Sequence, residues 1–555
     1  MPNVIVLMND TLRRDHVAAY GLPAPWERPG HSGEPFIHTP NLDRLAAESA
    51  IFDRFYCASY PTIPCRYDLF TGRYGFPTRG WQPLEPDDVV LSEIVRAAGK
   101  LPMLIYDTPM LGNDSYNYTR GFSGFSFQRG QHGDRYNVDP VDPALPAAPH
   151  KLKNVAATKL YLRNSMERVY ERDWMHGRTM SATFDWLERN RQRDDFVLWV
   201  DMWDPHEPFD APSFDLDRYA DPSFRGDSII YPRYGRGDYM SAAERNQVRA
   251  LYAGLVTAVD RWLGRLTERL DTLGLSRNTL LVHLTDHGHL FGDHDLQGKP
   301  TGPHGRLYEV TNRVPLMIRH PRGIGAGRRI AGLAQHPDLL PTILDFLEIK
   351  TPDGVQGRSL WPLIEGKSQS IRDYAVSGRF SRGAGESPRQ RAGAREAAQF
   401  DGWAGGDQPG EPITITSEEW ALVCPLGVDG RELYHLPSDP DETRNVIAEH
   451  PDVAKRMHAA FVEFMGASGA TDERIRLYTE PQPRLQMNPS AQLYAIRDTE
   501  GLWLAFPTER EAALCLVPPL PAQSVEMVRF GDLLERQSRA LVHLHEQYYR
   551  AEELA

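Results

Sequence analysis

The stretch NVIVLMND, residues 3–10, decides the fold class of this chain. Its apolar run, Val4 to Met8, has no polar face, as in strands of a parallel sheet that helices cover on both sides. Similar runs recur at residues 103–106, 196–200, 280–284 and 315–318. Between two of them, residues 242–270 carry apolar side chains at helical spacing. The alternation predicts an α/β fold with a large, mostly parallel sheet sandwiched by helices.

Length and composition predict several domains. With 555 residues and 41% hydrophobic content, the chain can form two or three. We expect an α/β catalytic domain over 1–375, a flexible Gly- and Arg-rich insertion over 376–412 and a small α+β domain over 413–467. Residues 468–555 form a tail that we assign to contacts in a homo-oligomer. Within this tail the spacing predicts a final amphipathic helix around 525–549.

The charge balance and the apolar runs exclude several partners. Acidic residues outnumber basic ones by 75 to 62, and no Lys/Arg run marks a nucleic-acid surface. No apolar stretch approaches the roughly 18 to 20 residues that span a bilayer, so we expect no membrane contact. The first residues lack a basic leader and a cleavage site. Four scattered cysteines suit a reducing compartment. The expected location is the cytoplasm.

Polar residues directly after the predicted strands are the site candidates, because ligands bind beyond the carboxyl ends of strands in open α/β sheets. Asp10, Asp286 and His287 supply oxygen and nitrogen donors from two strand ends. This mixed set fits zinc or manganese better than calcium, which remains an alternative. Each aspartate alone has a simpler explanation as a turn or helix-capping residue.

The most informative motif is SYPTIPCRYDLFTGR, residues 59–73. It resembles the sulfatase signature, in which Cys or Ser is followed by x-Pro-x-Arg and then by Leu-x-Thr-Gly-Arg. Aligning Pro64, Arg66 and the last three residues of the motif puts Thr62 at the nucleophile position. The chain is thus similar to the sulfatase-like branch of the alkaline phosphatase superfamily, which implies the same α/β fold.

Further motifs follow in the family's order. The Pro-His-Glu-Pro segment, 205–208, resembles an element whose histidine contacts substrate, and residues 285–299 resemble the second metal pair with its downstream lysine. The resemblance spans residues 1–467. It implies a metal bound by Asp10, Thr62, Asp286 and His287, and a catalytic set of Thr62, Arg66, His206 and Lys299. Arg66 is expected to hold a substrate oxyanion, and His206 with Lys299 to bind its other oxygens or to protonate the leaving group.

Threonine at position 62 favours phosphoryl chemistry. Sulfatases of this type oxidise the signature Cys or Ser to formylglycine, and threonine cannot be converted in this way. Threonine nucleophiles are found in the superfamily's phosphodiesterases. The single carboxylate of Asn9-Asp10 is also closest in pattern to phosphonate monoester hydrolases. We therefore expect hydrolysis of a small-molecule phosphodiester or phosphonate monoester through a covalent phosphoenzyme. A sulfatase, a phosphoryl transferase and an inactive binding protein are the alternatives.

The number of metal ions is left open at one or two. The family's Gly-Lys-x-His-x-Gly element is absent, since residues 106–112 read YDTPMLG. Candidates for a second metal or for substrate contacts are Thr108, Asp201, Asp204, His294 and His304.

Overall fold

The computed structural model describes residues 2–27, 35–112, 115–299, 305–379, 412–481, 489–497, 502–507, 512, 525–536, 540–544 and 547–550. The strands are β1 (Asn3–Asn9), β2 (Ala50–Phe52), β3 (Phe55–Tyr56), β4 (Ser59–Tyr60), β5 (Leu101–Tyr106), β6 (Gly124–Phe127), β7 (Phe196–Met202), β8 (Tyr234–Arg236), β9 (Thr279–Thr285), β10 (Leu290–Phe291), β11 (Leu296–Gly298), β12 (Arg313–Val314), β13 (Leu316–Arg319), β14 (Arg329–Ile330), β15 (Ala334–Gln335), β16 (Ala375–Arg379), β17 (Ile413–Thr416), β18 (Trp420–Cys424), β19 (Glu432–His435), β20 (Gln492–Arg497), β21 (Trp503–Phe506), β22 (Glu526–Arg529), β23 (Ala540–Leu544) and β24 (Gln547–Arg550). The helices are α1 (Pro40–Ala47), α2 (Thr62–Thr71), α3 (Leu91–Ala97), α4 (Val155–Asn164), α5 (Met175–Arg189), α6 (Ser213–Leu216), α7 (Ala242–Thr272), α8 (Glu309–Asn312), α9 (Leu339–Phe346), α10 (Trp361–Ile364), α11 (Pro451–Ala467), α12 (Asp472–Thr479) and α13 (Phe530–Arg536).

A central sheet of eight strands has the order β14-β2-β13-β9-β1-β7-β5-β6. Strand β1 lies in the middle and pairs in parallel with both β7 and β9. Only β13 runs against its neighbours, since it is antiparallel to β9 and to β2. The five strands predicted from apolar runs are β1, β5, β7, β9 and β13, so the predicted α/β class with a mostly parallel sheet is confirmed.

Helices cover both faces of this sheet because alternate side chains of each strand point to opposite faces. Ile5 and Leu7 of β1 share one core with residues of α7 such as Val256. Val4 and Val6 share the other core with residues of α2 and α9. Burial on both faces explains why the strand sequences lack polar alternation. The predicted helix over 242–270 is α7, which begins at a Ser241–Glu244 capping box.

A smaller sheet of order β19-β18-β17-β16-β4 joins the C-terminal region to the motif around Thr62. Strands β17 to β19 form antiparallel pairs, and α11 packs on them. The predicted insertion began at residue 376, but residues 376–379 belong to β16, which pairs in parallel with β4. The rest of that insertion, 380–411, lies outside the described residues.

The tail forms most of a second eight-stranded sheet, of order β10-β11-β8-β24-β23-β21-β20-β22. The predicted helix over 525–549 is wrong, because this range contains β22, the short helix α13, β23 and β24. Val528 in β22 and Val542 in β23 are buried in pairings with β20 and β21. These pairings outweigh the helical spacing that the prediction used. No helix in the described ranges is both long enough and apolar enough to cross a membrane.

Candidate active site

Two adjacent strands of the central sheet end in the acidic residues of the site. The register pairs Asn9 of β1 with Thr285 of β9, so Asp10 and Asp286 leave the sheet side by side. Together with His287 they form a fully buried group whose ligand atoms lie within 4.8 Å of one another. Within the described residues, no other group of three His, Cys, Asp or Glu side chains is this tight.

The turn after β1 holds these carboxylates in place. Thr11 adopts a left-handed backbone conformation with φ of 67°. Its amide donates to Asp286 Oδ1 at 2.9 Å, and its hydroxyl donates to Asp10 Oδ1 at 2.7 Å. Thr11 therefore fixes Oδ1 of each carboxylate, while Oδ2 of each accepts a hydrogen bond from Arg66. The sequence does not indicate a role for Thr11, because a threonine after an aspartate carries no specific signal.

Thr62 lies at the first position of α2, and Pro61 alone separates it from strand β4. Its side chain is buried, and its hydroxyl oxygen is 3.3 Å from His287 Nε2 and 3.3 Å from Lys299 Nζ. The unpaired amides at a helix N-terminus favour negative charge there. The structure thus brings the predicted nucleophile to the predicted metal group and to a cation.

Arg66, one helical turn after Thr62, contacts three carboxylates. Its Nε and one terminal nitrogen donate to the two oxygens of Asp201, at 3.0 and 2.7 Å. The other terminal nitrogen donates to Asp10 Oδ2 at 3.1 Å and to Asp286 Oδ2 at 3.0 Å. Burial opposes charge on the guanidinium, but these carboxylates raise the pKa of Arg66 well above its usual value. Arg66 thereby positions the acidic side chains, and its predicted contact with a substrate oxyanion stays a prediction.

Lys299 and His206 face each other beside the Thr62 hydroxyl. Lys299 follows β11, and its Nζ lies 2.7 Å from His206 Nε2. The Nδ1 of His206 donates to the backbone oxygen of Glu207 at 2.5 Å. The His206 ring packs on Trp203 with centroids 3.9 Å apart. These contacts leave Nε2 as the atom that faces Lys299.

The pKa shifts describe a site suited to a cation. Burial, followed by repulsion from Asp286, raises the pKa of Asp10 to about 6 despite the nearby Arg66 and Lys299. Burial, followed by the charge of Lys299, lowers the pKa of His287 to about 3, so its imidazole is neutral and able to ligate. Two crowded carboxylates and one neutral imidazole fit a divalent ion with mixed oxygen and nitrogen ligands.

The structure places some of the candidates for a second metal or for substrate contacts in the site and others in contacts with different residues. Thr108 and Asp201 join the site, since the Thr108 hydroxyl donates to Asp201 Oδ1 at 2.7 Å. Asp204 instead contacts His176 at 2.6 Å and Gln131 at 3.3 Å. His294 stacks on Tyr308 with ring centroids 3.6 Å apart. His304 lies outside the described residues, and a second ion stays a prediction.

Two further residues of the site were missed by the sequence argument. Tyr60 is buried against the His287 ring, with centroids 4.9 Å apart. Glu207 is fully buried and accepts a hydrogen bond from the Tyr234 hydroxyl. Both lie inside the quoted motifs, and their position beside Pro61 and His206 was the available signal.

A buried Asp-Asp-His group, a hydroxyl at a helix N-terminus and a Lys-His pair on a mostly parallel sheet define an enzyme of the alkaline phosphatase superfamily. The Sulfatase family model matches residues 2–349. The chain belongs to this family.

Relatives and solved structures agree with this assignment. An arylsulfatase of Clostridium perfringens is 26% identical over 425 residues, which are 67% of this chain and 80% of that protein. A multifunctional alkaline phosphatase superfamily protein, PehA of Trinickia caryophylli, is 28% identical over 67% of this chain and 78% of that protein. A phosphonate monoester hydrolase of Agrobacterium radiobacter shares the fold with a TM-score of 0.62 at 23% identity, covering 84% of this chain and 96% of that one.

Proposed function

We propose that this chain hydrolyses phosphodiesters or phosphonate monoesters, with Thr62 as the nucleophile and a covalent phosphoenzyme as the intermediate. The observation that carries the proposal is the placement of the Thr62 hydroxyl, which lies 3.3 Å from both His287 Nε2 and Lys299 Nζ. A threonine cannot become formylglycine, so its own oxygen must attack. Attack by an alkoxide or hydroxyl on phosphorus suits such a residue.

At least one divalent ion is proposed, zinc or manganese before calcium, which Asp10, Asp286 and His287 would hold with Thr62 as a fourth ligand. Such an ion lowers the pKa of a ligating hydroxyl and offsets charge on the transferred group. Arg66 holds the two carboxylates through their Oδ2 atoms. Its cation also limits their repulsion when no metal is bound.

In the first step, the Thr62 oxygen, already deprotonated to the alkoxide, forms a bond to phosphorus as the bond to the leaving oxygen breaks. The amides at the start of α2 and the Lys299 ammonium stabilise the phosphoryl oxygens, and losing one such contact typically costs about 10²-fold to 10³-fold in rate. The proton held between Lys299 and His206 goes to the leaving oxygen.

In the second step, water attacks phosphorus and the bond to Thr62 breaks. The Nε2 atom of His206 accepts the proton that the water loses, and the electron pair returns to the Thr62 oxygen. This restores the resting pair of His206 and Lys299. The same side chains therefore serve both steps with reversed roles.

A sulfatase activity is the second candidate, since the chain resembles an arylsulfatase of Clostridium perfringens as well as PehA. In that case the Thr62 oxygen would attack sulfur directly. The phosphoryl proposal is preferred, because formylglycine is the group through which sulfatases of this type act and Thr62 excludes it.

The proposed location is the cytoplasm. Cys57, Cys65 and Cys424 are buried free thiols, which supports a reducing compartment. A small soluble ester is the proposed substrate.

An activity panel tests the substrate class. Metal-reconstituted protein is assayed for kcat/KM on a bis-aryl phosphodiester, an aryl phosphonate monoester, an aryl phosphate monoester and an aryl sulfate with one common leaving group. We expect the diester or the phosphonate to be the best substrate. A clear preference for the aryl sulfate would contradict the proposal.

A further inference from the structure

Glu207 is a buried carboxylate that takes no part in the two proposed reaction steps. It lies directly behind His206, on the side of the imidazole that faces away from Lys299. Its Oε2 is 3.3 Å from His206 Nδ1 and 3.7 Å from His289 Nδ1. Its Oε1 accepts a hydrogen bond from Tyr234. The side chain is 0% exposed, so its charge acts without screening by water.

The surroundings of Glu207 favour its ionised form. Burial alone would raise its pKa, but the neighbouring His206, His289, Lys299 and Lys153 hold the pKa of Glu207 well below its usual value. Lys153 also lies over the Tyr234 ring, 3.8 Å from its centroid. A buried carboxylate is costly unless cations surround it. A glutamate kept at this position is therefore expected to act on the cations next to it.

His206 is the group that Glu207 affects most directly. The charged and titratable groups facing the imidazole are Glu207 on its own segment, Lys299 after β11, and His132, whose ring centroid is 6.5 Å away. Burial lowers the pKa of His206 well below its usual value, Lys299 and His132 lower it further, and Glu207 opposes them. Among these groups, Glu207 is the negative charge that favours a proton on this ring.

Resting on the function proposed above, we propose that Glu207 is the positioning residue that holds the His206 imidazole at its Nδ1 edge and favours its protonated form, so that Nε2 delivers a proton to the leaving group. As the phosphorus–oxygen bond breaks, its electron pair stays on the leaving oxygen, which takes the proton from Nε2. The imidazole becomes neutral and keeps its other proton on Nδ1, where it donates to the Glu207 backbone oxygen. The site would accordingly accept esters of poorly acidic alcohols, whose leaving oxygen needs this proton.

The test compares leaving groups. Wild type and Glu207→Gln are assayed for kcat/KM on phosphodiesters whose leaving groups range from 4-nitrophenol to an alkyl alcohol. General acid catalysis contributes about 10²-fold to 10⁴-fold, so we expect Glu207→Gln to lose about 10²-fold on the poorest leaving group and only a few-fold on the best. The basic limb of the pH profile should move to lower pH, because the charge that raises the pKa of His206 is gone.

Two further variants separate charge from structure. Tyr234→Phe removes one hydrogen bond but keeps the carboxylate, and we expect a smaller loss with the same trend. It also keeps the test available if Glu207→Gln does not fold. Glu309→Gln is the matched control, since this buried carboxylate contacts Tyr56 and Arg313 away from Thr62. It should leave the dependence on the leaving group unchanged.

Three outcomes would overturn the inference. They are an equal loss on all leaving groups for Glu207→Gln, a loss in Tyr234→Phe as large as in Glu207→Gln, and the same trend in Glu309→Gln. If wild type turns over neither a phosphodiester nor a phosphonate monoester, the proposed function fails. The same variants on aryl and alkyl sulfates then test Glu207 independently.

Discussion

The central sheet and the second eight-stranded sheet both deliver side chains to Thr62, but they do so by different means. In the central sheet, Asp10 and Asp286 follow long, neighbouring, fully buried strands. In the second sheet, Lys299 follows β11, a strand of three residues in a hairpin with β10. That hairpin pairs with β8, which in turn pairs with β24 of the tail. The acidic group is thus fixed by the fold's core, whereas the lysine depends on chain about 250 residues further on.

This difference predicts unequal effects of changes in the two regions. Substitutions at the carboxyl edge of the central sheet remove reacting groups directly. Changes in the tail act only through the position of Lys299 and its hairpin. Substitutions at the edge of the central sheet should lower activity by orders of magnitude and change stability little. Changes in the tail should lower activity less and change the local structure around Lys299.

The largest effect is expected for Thr62→Ala. Removing a nucleophile from a cooperating set costs on the order of 10⁴-fold to 10⁶-fold in kcat. Thr62→Ser keeps the hydroxyl and should retain part of the activity, and Arg66→Ala should lose less than Thr62→Ala because no reacting atom is removed. The measurement is kcat/KM on a bis-aryl phosphodiester. Near-wild-type activity of Thr62→Ala would show that another group attacks.

Asp286→Ala should come next, through loss of the metal. The variant removes one of the two carboxylates of the proposed ligand set, and we expect the remaining Asp10, His287 and Thr62 to hold an ion only weakly. Elemental analysis should find at least one divalent ion per wild-type chain and little in the variant, with activity lower by about 10²-fold to 10³-fold. Asp260→Asn is the control, since this buried carboxylate caps α1 and lies outside the group. Full metal content in Asp286→Ala would refute the ligand assignment.

Removing residues 482–555 should have the smaller effect. Without β24 the strand β8 loses a neighbour, so we expect kcat to fall about 10-fold. This loss is smaller than the cost of about 10²-fold to 10³-fold for removing a direct contact. The acidic group and its metal should be retained. Light scattering on the same protein tests the prediction that the tail takes part in a homo-oligomer. If it does, the mass per particle should fall by more than the mass of the deleted residues. Arg550→Ala removes the ion pairs of this side chain to Asp238 and Asp295 while keeping β24, and it is the mild control. Wild-type activity and an unchanged assembly in the truncated chain would contradict both roles.

The sequence predicted the central sheet well, because a strand that is buried on both faces requires apolar residues at consecutive positions. It also predicted that Asp10, Thr62, Asp286 and His287 lie together, since motif order and strand ends pointed to one edge. It could not predict that Arg66 faces carboxylates, because a donor's partner depends on distances that spacing does not contain. The helix predicted in the tail is wrong for another reason. Short strands such as β22 and β23 are stabilised by pairing with their neighbours, and their sequences carry little periodicity of their own.

The most direct test of the account is to trap the covalent intermediate. Wild-type protein is mixed with an excess of a bis-aryl phosphodiester, quenched in acid during turnover, digested and mapped by mass spectrometry. The account predicts an aryl phosphoryl group on Thr62, absent in Thr62→Ala and found on serine in Thr62→Ser. A wild-type enzyme that turns over the diester with Thr62 unmodified, or with the group on another residue, would contradict it.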